Sequence, residues 1–142
     1  MEIKFLRNKE SEDLASYISM SALKASIASS GHFGGIEAVN VVSVTQKDIA
    51  ELHSNVLGSH QTTDVISIEE EGAYEVYVSI DYIRDNLPKE IKLETEVVRL
   101  VIHGFLHCLG HDHEGKFEYD NKPQEEIFEL QEKVLNDYLM KI

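Results

Sequence analysis

The chain has 142 residues, 13 of them basic and 26 acidic, for a formal charge of −13, and a single cysteine, Cys108. That length suits one domain with an ordinary hydrophobic core, so neither a disulfide nor a metal is needed as a staple, and any metal is free to serve chemistry. The composition excludes an internal disulfide, no apolar run approaches the roughly 18 residues of a membrane span, and the opening MEIKFLRNKESEDL lacks a signal-like apolar stretch, so a cytoplasmic protein without membrane contact is expected.

Residues 2 to 6, EIKFL, suit a first strand. A helix is predicted over 11 to 28, with Ser11 as N-cap and Leu14, Ile18, Leu23 and Ile27 near helical spacing. Ser29 to Gly35 holds three glycines and reads as a loop, Val39 to Thr45 as a β-branched strand, and Gln46 to Leu57 as a second helix. Two strands follow, near Asp64 to Glu69 and Tyr74 to Ile80, joined by the acidic turn EEEGA. In the latter, Tyr74, Val76, Val78 and Ile80 share one face while Glu75, Tyr77, Ser79 and Asp81 share the other, the pattern of a half-buried strand. Pro88 marks a helix start, and Lys89 to Leu109 should be mostly helical, with its last turns apolar all round and therefore central. A closing helix over about Gln124 to Met140 aligns Ile127, Leu130, Val134, Leu135 and Tyr138 on one face. This order predicts an α+β domain over residues 1–142, a small mixed sheet with helices packed on it.

Residues 103 to 113, HGFLHCLGHDH, hold four of the seven histidines in eleven positions, in a run that is otherwise core-like. An imidazole in an apolar layer needs a partner for each ring nitrogen. His103 and His107 are four apart, so on a helix they lie on one face, about 5 to 6 Å apart at Cβ, and can grip one ion. Gly110 can take the left-handed conformation that ends a helix and return His113 to the same point. Three imidazoles leave a fourth position open, as in catalytic zinc sites, where a bound water falls to a pKa of roughly 7. One Zn²⁺ per chain and no other cofactor is expected, at the end of the buried central helix. His111 reads as an exposed turn residue and Cys108 as lying off the ligand face. Asp112 either orients an imidazole as an outer partner or caps a turn.

The spacing HxxxHxxGxxH also occurs in zinc peptidases. Their second residue is the glutamate that acts as general base, and here it is Gly104.

HGFLHCLGHDH resembles the HGxLHLxGyDH signature of the YbeY family, bacterial metal-dependent endoribonucleases of rRNA maturation. TTDVISI at 62 to 68 is similar to the family's PTDVLSF strand, YVSID at 77 to 81 to its GDIxIS segment, and EEIFELQEKVL to its closing helix. The resemblance implies a single-strand-specific endoribonuclease acting in 16S rRNA 3′-end processing and ribosome quality control. It implies His103, His107 and His113 as zinc ligands and as the catalytic set acting through metal-bound water. It implies Thr63, Asp64 and Ser67 as substrate-binding residues flanking the cleft, with rRNA or pre-rRNA and the small ribosomal subunit and its proteins as partners. The alternatives are a non-catalytic zinc-containing ribosome assembly factor and a zinc peptidase.

There are departures. Leu57 stands where many members have a phosphate-holding arginine, Ser59 where they have a lysine, His60 where Asp is frequent, and the usual Gly-Asp reads Val76 and Tyr77. Leucine cannot supply bidentate hydrogen bonds to developing phosphoryl charge. Residues 1 to 30 escape the acidic excess, with four basic and four acidic side chains, which makes Lys4, Arg7, Lys9 and Lys24 the best candidates for contact with RNA or its particle.

Overall fold

The structure, a computed structural model, describes residues 1–56, 65–70 and 72–142. Within these residues four strands form one sheet: β1 (Glu2–Arg7), β2 (Ala38–Ser43), β3 (Val65–Glu70) and β4 (Ala73–Val78), in the order β1-β2-β4-β3. The first two pairings are parallel and β3 runs antiparallel to β4, so the sheet is mixed, as its sequence predicts. Among the described residues five α-helices accompany it: α1 (Met20–Ser30), α2 (Gln46–Val56), α3 (Ile80–Asp85), α4 (Leu93–Cys108) and α5 (Glu126–Lys141).

Alternation along the strands divides the core between two faces. Val39 and Val41 of β2, with Val76 and Val78 of β4, pack toward α1, α4 and α5, whereas Val42, Val44 and Ile66 pack with Ile49 of α2. The burial of α4 is nearly complete. Val97, Val98, Val101, Ile102, Phe105 and Leu106 are all fully buried, which places this helix between the sheet and α5 and explains why its last turns are apolar all round.

Three element boundaries differ from the sequence reading. The helix predicted over 11 to 28 is two pieces: a 3-10 turn over Leu14–Ser16, capped by Asp13, and α1 from Met20. Ser11 is no N-cap; its hydroxyl oxygen lies 2.7 Å from the carbonyl oxygens of both Asn8 and Ser43, and its single proton, directed to either, ties the chain to the turn after β1 or to the end of β2. Ser19 caps α1 instead, accepting from the Ala22 N–H. The four apolar residues are buried as expected, because both pieces face one core; their spacing reported the core rather than a continuous helix. Strand β4 ends at Val78, since Ser79 accepts from the Tyr82 N–H and starts α3, which takes Ile80 and Asp81. Finally, α4 starts at Leu93 rather than near Lys89. After Pro88 the chain makes a turn, and Glu90 adopts a left-handed φ of 67°, which no helix passes through.

Helix and sheet come closest at Gly104. A Cβ there would lie 2.6 Å from Val76 Cγ1 and 3.2 Å from both Ser67 Oγ and Val65 Cγ2. The valine is β-branched and enclosed, so it has little room to give way. Gly104→Ala is therefore expected to destabilise the protein by about 1–3 kcal/mol through overpacking. Thermal unfolding should show a melting temperature several degrees lower; an unchanged one would mean that α4 moves off the sheet freely.

Candidate metal centre

The C-terminal end of α4 sets the site. His103 and His107 stand one turn apart on one face, with ring centroids 4.5 Å apart and their Nε2 atoms 2.9 Å apart. The helix stops because Gly110 takes φ 92°. Its N–H donates to the His107 carbonyl and the His111 N–H to the Leu106 carbonyl, the paired bonds of a Schellman termination. The reversed chain then carries His113 back, its ring centroid 5.1 Å from that of His103 and 5.4 Å from that of His107. One ligand nitrogen from each ring lies within 4.8 Å of the others, close enough for all three to hold one ion.

Two rings are oriented from behind. His103 Nδ1 lies 2.7 Å from Gln131 Oε1 on α5, and His113 Nδ1 lies 2.7 Å from the Gly115 carbonyl. Both partners accept, so each Nδ1 carries the proton and each Nε2 keeps its lone pair. The free Nε2 atoms of His103 and His113, with the His107 ring beside them, form a cluster of imidazole nitrogens that one divalent cation can satisfy. The donor set thus fits a metal such as zinc.

The loop that delivers His113 is held by Glu125, just before α5. Its carboxylate accepts from the N–H groups of Glu114 and Gly115 at 2.9 and 3.0 Å, and these bonds hold it below the usual carboxylate range. Phe128 underlies the site, its ring stacked on His103 at 5.9 Å and tilted against His113 at 4.9 Å.

The other anticipated residues divide. Of the two roles open to Asp112, the hydrogen bond present is the turn cap: its carboxylate accepts from the His113 N–H at 2.8 Å. Ser67 is on β3, where its hydroxyl donates to the Gly104 carbonyl at 2.8 Å. Cys108 lies beside Ser67, off the histidine face, and burial pushes its thiol up to about 11. His111 is half-buried and outside the three-ring cluster. Thr63 and Asp64, with Leu57, Ser59 and His60, lie outside the described residues.

Gln131, Glu125 and Phe128 were not anticipated. Gln131 had a signal: it falls on the apolar face of α5, between Ile127 and Val134, and a polar side chain that is 2% exposed must have a partner. Glu125, one of many acids on an acidic chain, had none.

Comparison with known proteins gives the same direction. The family model described as "Endoribonuclease YbeY" matches residues 3–139. This chain belongs to the YbeY family. A YbeY protein from Thermotoga maritima named as an endoribonuclease is 35% identical over 103 residues, covering 70% of this chain and 66% of that protein. One from Treponema pallidum, with the same name, is 30% identical over 110 residues, covering 68% and 66%. The chain thus spans just under two thirds of these relatives. Among solved structures, the solution structure of TM1509 from Thermotoga maritima is similar with a TM-score of 0.61 and 29% identity, over 98% of this chain and 90% of that one.

Burial holds His103 well below its ordinary value, at about 4, with the neighbouring His107 adding to the effect, and burial also lowers His107. Two ligands of the YbeY triad, His103 and His107, are therefore held neutral at pH 7. In the metal-free protein the unfolded chain takes up protons at these rings below about 6.5 while folded His103 resists until about 4, so stability rises with pH across that window and falls on acidification. Between pH 6.5 and 5, above the range where carboxylates protonate, the His103 contribution should fall by about 2 kcal/mol. Urea midpoints of metal-free protein measured across that range should decline together; a flat profile would contradict the burial of a neutral His103.

Proposed function

We propose that this YbeY chain is a metal-dependent endoribonuclease, cleaving single-stranded RNA in rRNA maturation, with His103, His107 and His113 holding one zinc ion. The observation that carries this reading is the convergence of three imidazoles, two with Nδ1 committed to an acceptor, in a chain of this family. Zinc is favoured by a set of three imidazoles. When bound, it would supply Lewis-acid charge toward a phosphate oxygen and lower the pKa of water.

The chain's own residues hold the geometry. Gln131 and the Gly115 carbonyl keep the ring protons on Nδ1, Glu125 holds the His113 loop, and Phe128 closes the inner side against water. Thr63, Asp64 and Ser67 are proposed to line the substrate path, since β3 begins at Val65 and packs beside α4. A peptidase is not favoured: its general base would stand at position 104, where the approach of Val76 leaves no room even for a Cβ.

Metal-loaded protein should cleave single-stranded RNA and spare peptides, and His107→Ala should abolish cleavage. The double variant His103→Ala, His107→Ala should hold far less metal than wild type by elemental analysis. Equal metal in both would end the zinc assignment, and loaded wild type inert toward RNA and toward small-subunit particles would leave the assembly-factor alternative.

The proposed setting is the cytoplasm and the small ribosomal subunit. Among the described residues no helix is long and apolar enough to cross a membrane. A charge of −13 gives no long-range attraction to phosphate, so docking falls to local contacts. Lys4 and Arg7 lie on β1, at the sheet edge opposite β3, with Lys9 just beyond and Lys24 exposed on α1. Charge reversal at Arg7, Lys9 and Lys24 should weaken association with small-subunit particles and leave zinc content unchanged. Tight, salt-insensitive binding to naked RNA that survives these reversals would exclude this division of labour.

A further inference from the structure

Behind His103 runs a buried polar chain that the metal site alone does not explain. Gln131 Oε1 faces His103 Nδ1 at 2.7 Å, while Gln131 Nε2 donates to Glu132 Oε2 at 3.1 Å. Glu132 in turn accepts from Arg99, through Nε at 3.0 Å and a second guanidinium nitrogen at 3.3 Å. Arg99 also pairs with Glu96, whose other oxygen accepts from the Tyr119 hydroxyl. The guanidinium lies 5.2 Å from the ring centres of both Phe117 and Tyr119. Glu96, Arg99, His103 and Gln131 are each less than a tenth exposed.

Each link leaves the next no choice. Burial disfavours the charge of Arg99, but the hydrogen bonds and charges of Glu132 and Glu96 outweigh it and hold the guanidinium protonated. Beside that cation Glu132 is a carboxylate, which can only accept. The amide of Gln131 must therefore turn its NH₂ to Glu132 and its oxygen to His103. An amide oxygen cannot donate, so the His103 proton must sit on Nδ1, and the Nε2 lone pair is left facing His107 and His113. A glutamine alone would not impose this, because its amide could flip and donate to Nδ1, which would move the ring proton to Nε2.

We propose that Gln131 is the positioning residue that fixes the tautomer and aim of His103, and that the Arg99–Glu132 ion pair fixes the direction of the Gln131 amide. This rests on the metal-centre reading for its consequence, though not for its geometry. The same guanidinium lies against Phe117 and Tyr119, on the segment that follows His113, so one buried cation braces both the ring on α4 and the loop that brings the third ring.

The first test needs neither metal nor variant. Long-range ¹H–¹⁵N correlation on the metal-free wild type should show His103 protonated on Nδ1 at pH 7; protonation on Nε2 overturns the proposal. The second measures zinc affinity by competition with a chelating dye. Gln131→Met, close in shape but without an acceptor, should release the tautomer preference and weaken zinc binding roughly 10- to 100-fold, the usual range for loss of a partner behind a ligand. Gln131→Glu, which keeps an oxygen toward the ring, should recover affinity. Equal affinity and an unchanged tautomer in Gln131→Met, or a Gln131→Glu protein no better than it, defeats the inference while the zinc triad stands. If instead His103→Ala, His107→Ala retains full zinc, the triad reading fails, and the tautomer measurement still decides the role of Gln131.

Discussion

The buried face of a helix cannot leave its polar groups to water, and α4 carries Glu96, Arg99 and His103 into such a place. An unpartnered charge or imidazole there would cost several kcal/mol. The rest of the site follows from how those groups are met. Glu96 and Arg99 take each other, Glu132 accepts two further bonds from Arg99, and Gln131 stands between Glu132 and His103. One nitrogen of His103 is satisfied from α5, and the other points to the two remaining histidines. The metal-binding geometry is thus the exposed end of a polar chain that the helix had to complete in any case.

The second constraint is steric. Position 104 touches the sheet, and the contact with Val76 admits only glycine. The histidine spacing by itself is shared with a class of zinc peptidases, but the residue that gives those enzymes their base is excluded here by packing. The Ser67 hydroxyl reinforces the contact by donating to the Gly104 carbonyl. A single close approach therefore holds the histidine helix against the sheet and removes one chemistry from the site's repertoire.

Much of this was legible in the sequence, for physical reasons that differ by element. The alternation in β4 and the apolar stripes of α4 and α5 are direct records of burial, so the mixed sheet and central helix could be read from them. The three histidines were legible because helical spacing and a left-handed glycine leave few other geometries. The break between Leu14–Ser16 and α1 was not, since Leu14, Ile18, Leu23 and Ile27 are buried on either side of it, and the hydrogen bonds of Ser11, Asp13 and Ser19 mark it. The left-handed Glu90 likewise has no signature in residue type. Gln131 and Glu125 act across distances in sequence that periodicity does not measure, 28 residues from His103 and 10 from Gly115.

That separation bears on how the protein comes into being. His103 and His107 are neighbours on one helix and form as soon as it does, but the amide behind His103, the carboxylate that pins the third ring's loop and the phenyl ring beneath both arrive together on or next to α5. Local contacts form early in folding, and docking of a distant helix comes later. A growing polypeptide in which α5 has not yet emerged carries the histidine pair without the parts that aim it. Full coordinating power then waits on the docking of α5, however early the histidine helix forms.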